Sequence, residues 1–181
     1  MIPTYSTKTH SFDEIYPVML QVSEQVASSN HRAKENNRVA NSLFEGNFIN
    51  EHILFGEYDF FTEDDKIIGI LHTQLYDVVS PPDYQDLLNQ QLTSNSFLLE
   101  EIEDFSQRYG ARIEGRSIHL LQGIRSFKPR FGKEMLRSYL EHKDVCLLIN
   151  TSGRETYYEE FGFENTNITN HSGYSLLFFN K

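Results

Sequence analysis

Residues 157–165 read YYEEFGFEN, and Tyr158 stands four positions before Gly162. A phenol with an ordinary pKa of about 10 keeps its proton at neutral pH. Held beside a departing anion, it can donate a hydrogen bond or the proton itself. Gly162 offers the left-handed backbone that closes a helix, with Phe161 and Phe163 packing on either side of the turn. A second group with chemical capacity is basic. Residues 125–137, RSFKPRFGKEMLR, hold five of the sixteen basic residues and one acid, Glu134. In a chain of net charge −10, such a cluster at a helix start fits phosphate binding. The competing reading is a solvated helix face on which Lys133 and Arg137 pair with Glu134 and Glu141. His119, His72 and Glu57 are candidate proton acceptors, His119 because histidine titrates near neutrality. A lone strand histidine also serves ordinary packing.

These residues need a scaffold. PTYSTKTH alternates as a short first strand. Ser11 and Glu14 form a capping-box pattern, and Phe12, Ile15, Met19, Val22 and Val26 recur at helical spacing. Pro17 is expected to bend that helix. HRAKENNRVANSLFEG reads as a second helix ended by Gly46. HILFGEYDFF and KIIGILHTQLYDVV read as strands of a hairpin around the acidic turn TEDDK. Pro81 and Pro82 end the second of them, and Asp83 caps a short helix. Leu98, Ile102, Phe105 and Tyr109 share a helix face, with Gly110 as its stop. RSIHLLQGIRS is a strand, FGKEMLRSYLEHK a helix, and VCLLIN a strand covered on both faces. SGRETYYEEFG is a helix with Ser152 and Glu155 as its capping box, and SGYSLLFFNK is a last strand. The expectation is one α+β domain over 1–181, a mixed central sheet flanked by helices.

Composition excludes several classes. A hydrophobic content of 39% argues against disorder. The acidic balance argues against nucleic-acid binding through a generally basic surface and favours cationic small molecules. Cys146 is the single cysteine, and its apolar run marks a buried thiol rather than a nucleophile. Zinc-type Cys/His spacing is absent from the sequence. The polar start MIPTYSTKTH and the lack of a membrane-length apolar run make a cytoplasmic, membrane-free setting the expectation.

The order of elements, together with Tyr158, Gly162 and Phe163 after VCLLIN, resembles the GNAT-type N-acetyltransferases, with 81–116 as a helical insertion before the fourth strand. The resemblance implies acetyl-CoA as cofactor and an amine, small molecule or peptide, as acetyl acceptor. It implies that Tyr158 assists the leaving CoA thiolate. It places the pantetheine arm against the backbone of Leu121, Gln122 and Ile124, where the fourth strand splays from the fifth and Gly123 makes a bulge. It places the pyrophosphate at the loop FKPRFGK, on Lys128, Arg130, Phe131, Gly132 and Lys133. The loop departs from the family pattern: Arg130 stands where a glycine is expected, Phe127 where Gln or Arg is expected, and Pro129 removes an amide. His119 is the candidate base. Acidic runs at Glu63–Asp65 and on the helix at Glu100–Asp104 either recruit a cationic acceptor or form solvated faces. Two other readings stay open. One is a GNAT-like domain that binds or regulates without catalysis. The other is an unrelated α+β protein whose FGF is only a helix stop. The apolar end YSLLFF is either an inner strand or a homodimer edge.

Overall fold

The structure, a computed structural model, describes residues 1–28, 57–76, 89, 92–93 and 96–181. The helix expected over 31–46 and the one capped by Asp83 lie outside the described residues. The described elements are β1 (Tyr5–Ser6), α1 (Phe12–Ser28), β2 (Glu57–Glu63), β3 (Lys66–Tyr76), α2 (Leu99–Ile113), β4 (Ile118–Ser126), α3 (Phe131–Leu140), β5 (Val145–Asn150), α4 (Glu155–Glu159), β6 (Phe163–Thr169) and β7 (Ser175–Asn180). The strands order as β1-β2-β3-β4-β5-β7-β6 in one mixed sheet, the α+β class read from the sequence. β7 is an inner strand, with β5 on one side and β6 on the other. Its backbone is therefore spent within the chain.

The described chain clusters into two units, Met1–Gln74 with Gly123–Tyr139, and Leu75–Gln122 with Leu140–Lys181. In the first, Glu63 pairs with Lys66 across a tight hairpin. Asp64 and Asp65 both take positive φ, 49° and 57°. That is the geometry a two-residue hairpin turn demands, and Asp tolerates it. α1 lays Ile15, Val18, Met19 and Val22 on Tyr58, Phe60, Ile67 and Ile70. The helix continues past Pro17. At its start Glu14 accepts from both the amide and the hydroxyl of Ser11. The glutamate half of the capping box forms, while the serine hydroxyl turns to the carboxylate.

Phe61 and Gly69 are register partners, so their side chains share a sheet face. Phe131 of α3 meets Phe61 there, ring edge to face at 5.6 Å. A Cβ on Gly69 would lie 2.4 Å from Met135 Sδ and 2.7 Å from Phe131 Cε1. Gly69 is thus required by packing: it lets α3 settle on the strand and so fixes where the loop before α3 begins.

In the second unit β4 and β5 run parallel, in register from Ile118–Val145 to Leu121–Leu148. β5 continues through Ile149 and Asn150 on its β7 side, pairing with Leu176 and Ser175. One face carries Ile118, Leu120, Val145, Leu147, Leu176 and Phe178 beneath Ile102, Phe105, Tyr109 and Ile113 of α2. Each such buried side chain contributes about 1.5–3 kcal/mol. Gly110 lies inside α2 rather than at its end. The helix runs to Ile113, and Gly115, at φ 72°, carries the turn out. An isolated helical glycine is tolerated where tertiary packing continues the apolar face, here through Ile113.

Candidate active site

Strand alternation puts His119, Leu121, Cys146, Leu148 and Asn150 on the face of the second unit's sheet opposite α2. Ser175, Leu177 and Phe179 share it as register partners of β5. α4 belongs to the same side. Tyr158 meets Phe163 edge to face at 5.9 Å, and Phe163 meets Phe179 at 5.6 Å. Gly162 makes this possible. At φ 89° its amide donates to Glu159 O, ending α4 and turning the chain directly into β6. The helix stop read from FGF is real, and it aims Tyr158 inward.

α4 is shorter than the sequence suggested. It begins at Glu155, with Arg154 in the N-cap position and no side-chain cap. Ser152 does not cap it. The Ser152 hydroxyl and amide both donate to Asn150 Oδ1, at 2.8 and 3.1 Å. Glu155 instead accepts from Ser175 Oγ at 3.0 Å. An Asx turn at the end of β5 has taken the hydroxyl that the capping box needed.

With Oδ1 holding two donors, the orientation of the Asn150 amide is settled, and Nδ2 points away from them. Asn150 is 3% exposed, and Nδ2 has no hydrogen-bond partner among the described residues. A buried donor left unpaired costs about 1–3 kcal/mol. Such a group fits a ligand carbonyl. Tyr158 is buried too. Burial raises its phenol pKa and Tyr157 raises it further, while a hydrogen bond with Ser152 and the charge of Arg154 oppose the rise. The phenol stays protonated at neutral pH.

The basic loop lies in the first unit. Lys128 and Arg130 are exposed, Gly132 and Lys133 half-buried. Arg130 has φ 68°, left-handed backbone at the position where the family pattern has glycine. A cationic residue thus stands in backbone that glycine favours. Phe131 N donates to Lys128 O and Lys133 N to Arg130 O, which leaves the amides of Arg130 and Gly132 with no backbone acceptor among the described residues. Lys128 Nζ is not idle. It donates to both oxygens of Glu63, at 2.6 and 2.9 Å, and that bond heads the causes raising its pKa. The Phe131 side chain is core, so its contribution to a ligand is limited to backbone.

His119 is half-buried, Leu121 buried, Gln122 exposed and Ile124 half-buried. The β4–β5 register runs unshifted to Leu121, and Gly123 lies beyond it. Cys146 is buried, as its apolar run implied. Asn150 and Ser152 were missed in the sequence. Their signal was Asn-x-Ser following an apolar strand, an Asx-turn pattern read there as a helix cap. No described helix is long and apolar enough to cross a membrane.

No family model matches the sequence, and no curated protein matches it. Among solved structures, the chain is similar to the Bacillus subtilis N-acetyltransferase YlbP in complex with coenzyme A, at 9% identity, 92% of this chain, 91% of that one and TM-score 0.48. It is similar to an agmatine N-acetyltransferase mutant in its apo form, at 10% identity, 94% and 95% coverage and TM-score 0.44. It is also similar to a putative arylalkylamine N-acetyltransferase of the yellow fever mosquito, at 9% identity, 94% and 85% coverage and TM-score 0.48.

Proposed function

We propose that this protein is an acetyl-CoA-dependent N-acetyltransferase that passes acetyl to an amine by direct attack. The observation that carries the reading is Asn150 Nδ2, a buried and oriented donor without an acceptor, on the sheet face that also bears Tyr158 and His119. When bound, acetyl-CoA supplies an activated acetyl thioester. Asn150 donates to a carbonyl of the acyl donor. Leu121, Gln122 and Ile124 offer backbone to the pantetheine amides. Lys128 and Arg130, with the amides of Arg130 and Gly132, hold the phosphates at the start of α3, beside Phe131 and Lys133. His119 accepts the proton of the attacking amine, and Tyr158 gives its own to the leaving sulfur. The acidic chain favours a cationic amine, small molecule or peptide, as acceptor.

Calorimetry with acetyl-CoA, followed by turnover against an amine panel, tests the reading. Binding should occur, and should weaken about tenfold in Asn150→Ala; the free protein's melting temperature should fall as well, because Oδ1 no longer accepts from Ser152. No binding at millimolar acetyl-CoA would end it. A second reading, a domain that binds without turnover, draws on the Lys128–Glu63 pair, which competes for the loop's lysine. Tight binding with no product from any amine favours that one.

A further inference from the structure

Glu155 heads α4 and reaches across to β7, where Ser175 Oγ donates to its Oε1 at 3.0 Å. Ser175 is buried and is the register partner of Asn150. Directly opposed residues of an antiparallel pair hold their Cβ atoms about 4.5–5.5 Å apart. The three polar groups therefore gather at one end of β5, on the sheet face opposite α2. They are complementary in kind. Asn150 Nδ2 is a buried donor with no acceptor among the described residues, and Glu155 presents a carboxylate. The carboxylates of Glu57, Glu63, Asp104 and Glu164 each meet a lysine or an arginine. Glu155 is half-buried, and among the described residues it meets only the neutral hydroxyl of Ser175, which leaves Oε2 open to a donor. A carboxylate has about four acceptor sites, so most of its capacity is unused.

We propose that Glu155 is a specificity-determining residue that seats a second cationic group of the acceptor, which makes a diamine the substrate class. The inference rests on the N-acetyltransferase reading above and names the acceptor for it. An attacking amine must shed its proton before its lone pair reaches the acyl carbon, so it keeps no lasting ion pair. A carboxylate that stays beside the acyl group through the reaction is matched by a cation that keeps its charge. In a diamine the nitrogen that does not react is such a cation, since an alkylammonium like that of lysine titrates at about 10.4. Asn150 Nδ2 then holds the acyl carbonyl, and Glu155 Oε2 holds the far ammonium. Ser175 gives the carboxylate a fixed direction before the ligand arrives, which lowers the side-chain entropy that an exposed ion pair must lose. A glutamate in the first turn of a helix also favours the helix itself. That role bears on stability and not on the choice between amines, and α4 has only five residues to gain from it.

The test has one arm that needs no turnover. Calorimetry on the full chain compares diaminobutane with butylamine, which has the same carbon chain and one cation fewer. Diaminobutane should bind the more tightly, and Glu155→Gln should remove about tenfold of its affinity while leaving butylamine unchanged. Ser175→Ala, which keeps the carboxylate but frees it to turn, should lose part of the preference and serves as the test if Glu155→Gln does not fold. No preference in the parent, or the same preference in parent and variants, overturns the proposal. The second arm is kinetic. Glu155→Gln should raise the KM for diaminobutane about tenfold, with kcat, the KM for butylamine and the KM for acetyl-CoA little changed. A loss shared equally by the two amines means that Glu155 serves the helix alone, and overturns the proposal. If acetyl-CoA does not bind or no amine is acetylated, the function proposed above fails, and the calorimetric preference alone decides the place of Glu155.

Discussion

Tyr58 of the first unit and Tyr158 of the second are both buried, and the two differ in what sets their acidity. Tyr58, 3% exposed, stacks on His72 with ring centres 4.1 Å apart and planes 9° from parallel. Burial alone pushes its pKa up to about 12. Tyr158 is raised by burial and by Tyr157, but Ser152 and Arg154 pull against them. Burial keeps any phenol protonated, whether it reacts or not. A useful acid must also release the proton, and neighbours that stabilise the phenolate make release easier. The difference accords with the proposal that Tyr58 packs and Tyr158 is the acid.

The largest expected effect breaks or confirms that separation. Tyr158→Phe should lower kcat roughly ten- to a thousandfold, with melting temperature and acetyl-CoA affinity little changed. Tyr58→Phe should leave kcat close to the parent value. Comparable losses in the two variants would erase the distinction. Steady-state kinetics with an accepted amine and calorimetry provide the comparison.

A smaller effect belongs to the loop. Replacing Lys128 and Arg130 together by Ala should weaken CoA about tenfold or more, since charge-assisted hydrogen bonds contribute roughly 1.5–3 kcal/mol. Pantetheine without phosphates should bind almost unchanged, and the salt dependence of CoA binding should fall. Equal weakening of the two ligands would return both residues to the solvated surface. Arg130→Gly sharpens the point. It removes the charge and also the left-handed strain at φ 68°, so it should weaken CoA yet raise stability by about 1 kcal/mol.

Next comes the pH behaviour of Tyr58. Its folded pKa is raised, so below pH 10 both the folded and unfolded chains hold the proton. Between pH 10 and about 12 the unfolded chain releases it and the folded chain does not. Stability should therefore fall by about 1.4 kcal/mol per pH unit across that window. Urea unfolding at stepped pH should show this slope flattened in Tyr58→Phe. An unchanged slope would mean that Tyr58 titrates as freely as an exposed phenol. The smallest effect is at Glu63. Glu63→Gln releases an exposed lysine and should tighten CoA by about two- to threefold, because exposed ion pairs hold weakly. No change, or a loss, would show that Glu63 does not compete for Lys128.

Several elements were legible because their causes are local. The hairpin around Asp64 and Asp65 follows from two runs of strand formers joined by residues that tolerate positive φ. The stop at Gly162 follows from the one residue type that enters left-handed backbone without cost. Helices α1 and α3 follow from apolar spacing at 3.6 residues. The misses share the opposite property. Gly110 looked like a helix end, but α2 continues because Ile113 still finds the sheet. Ser152 looked like a cap, but Asn150 was nearer and better placed for its hydroxyl. Glu155 was assigned to that cap as well, and Ser175, far along the chain, took it.

The sequence by itself determined the order of the described strands and helices except β6, which it missed, together with the buried thiol at Cys146, the basic loop before α3 and the helix stop at Gly162. Each depends on periodicity, a turn residue or a charge count within a few positions, which a linear string records. Only the tertiary structure decided that β7 is an inner strand, that Arg130 takes the backbone course of a glycine, and that Asn150 is buried with a donor to spare. Those facts arise from pairings between distant segments. Whether a polar atom is satisfied depends on every group around it, and that environment exists only after the chain has folded.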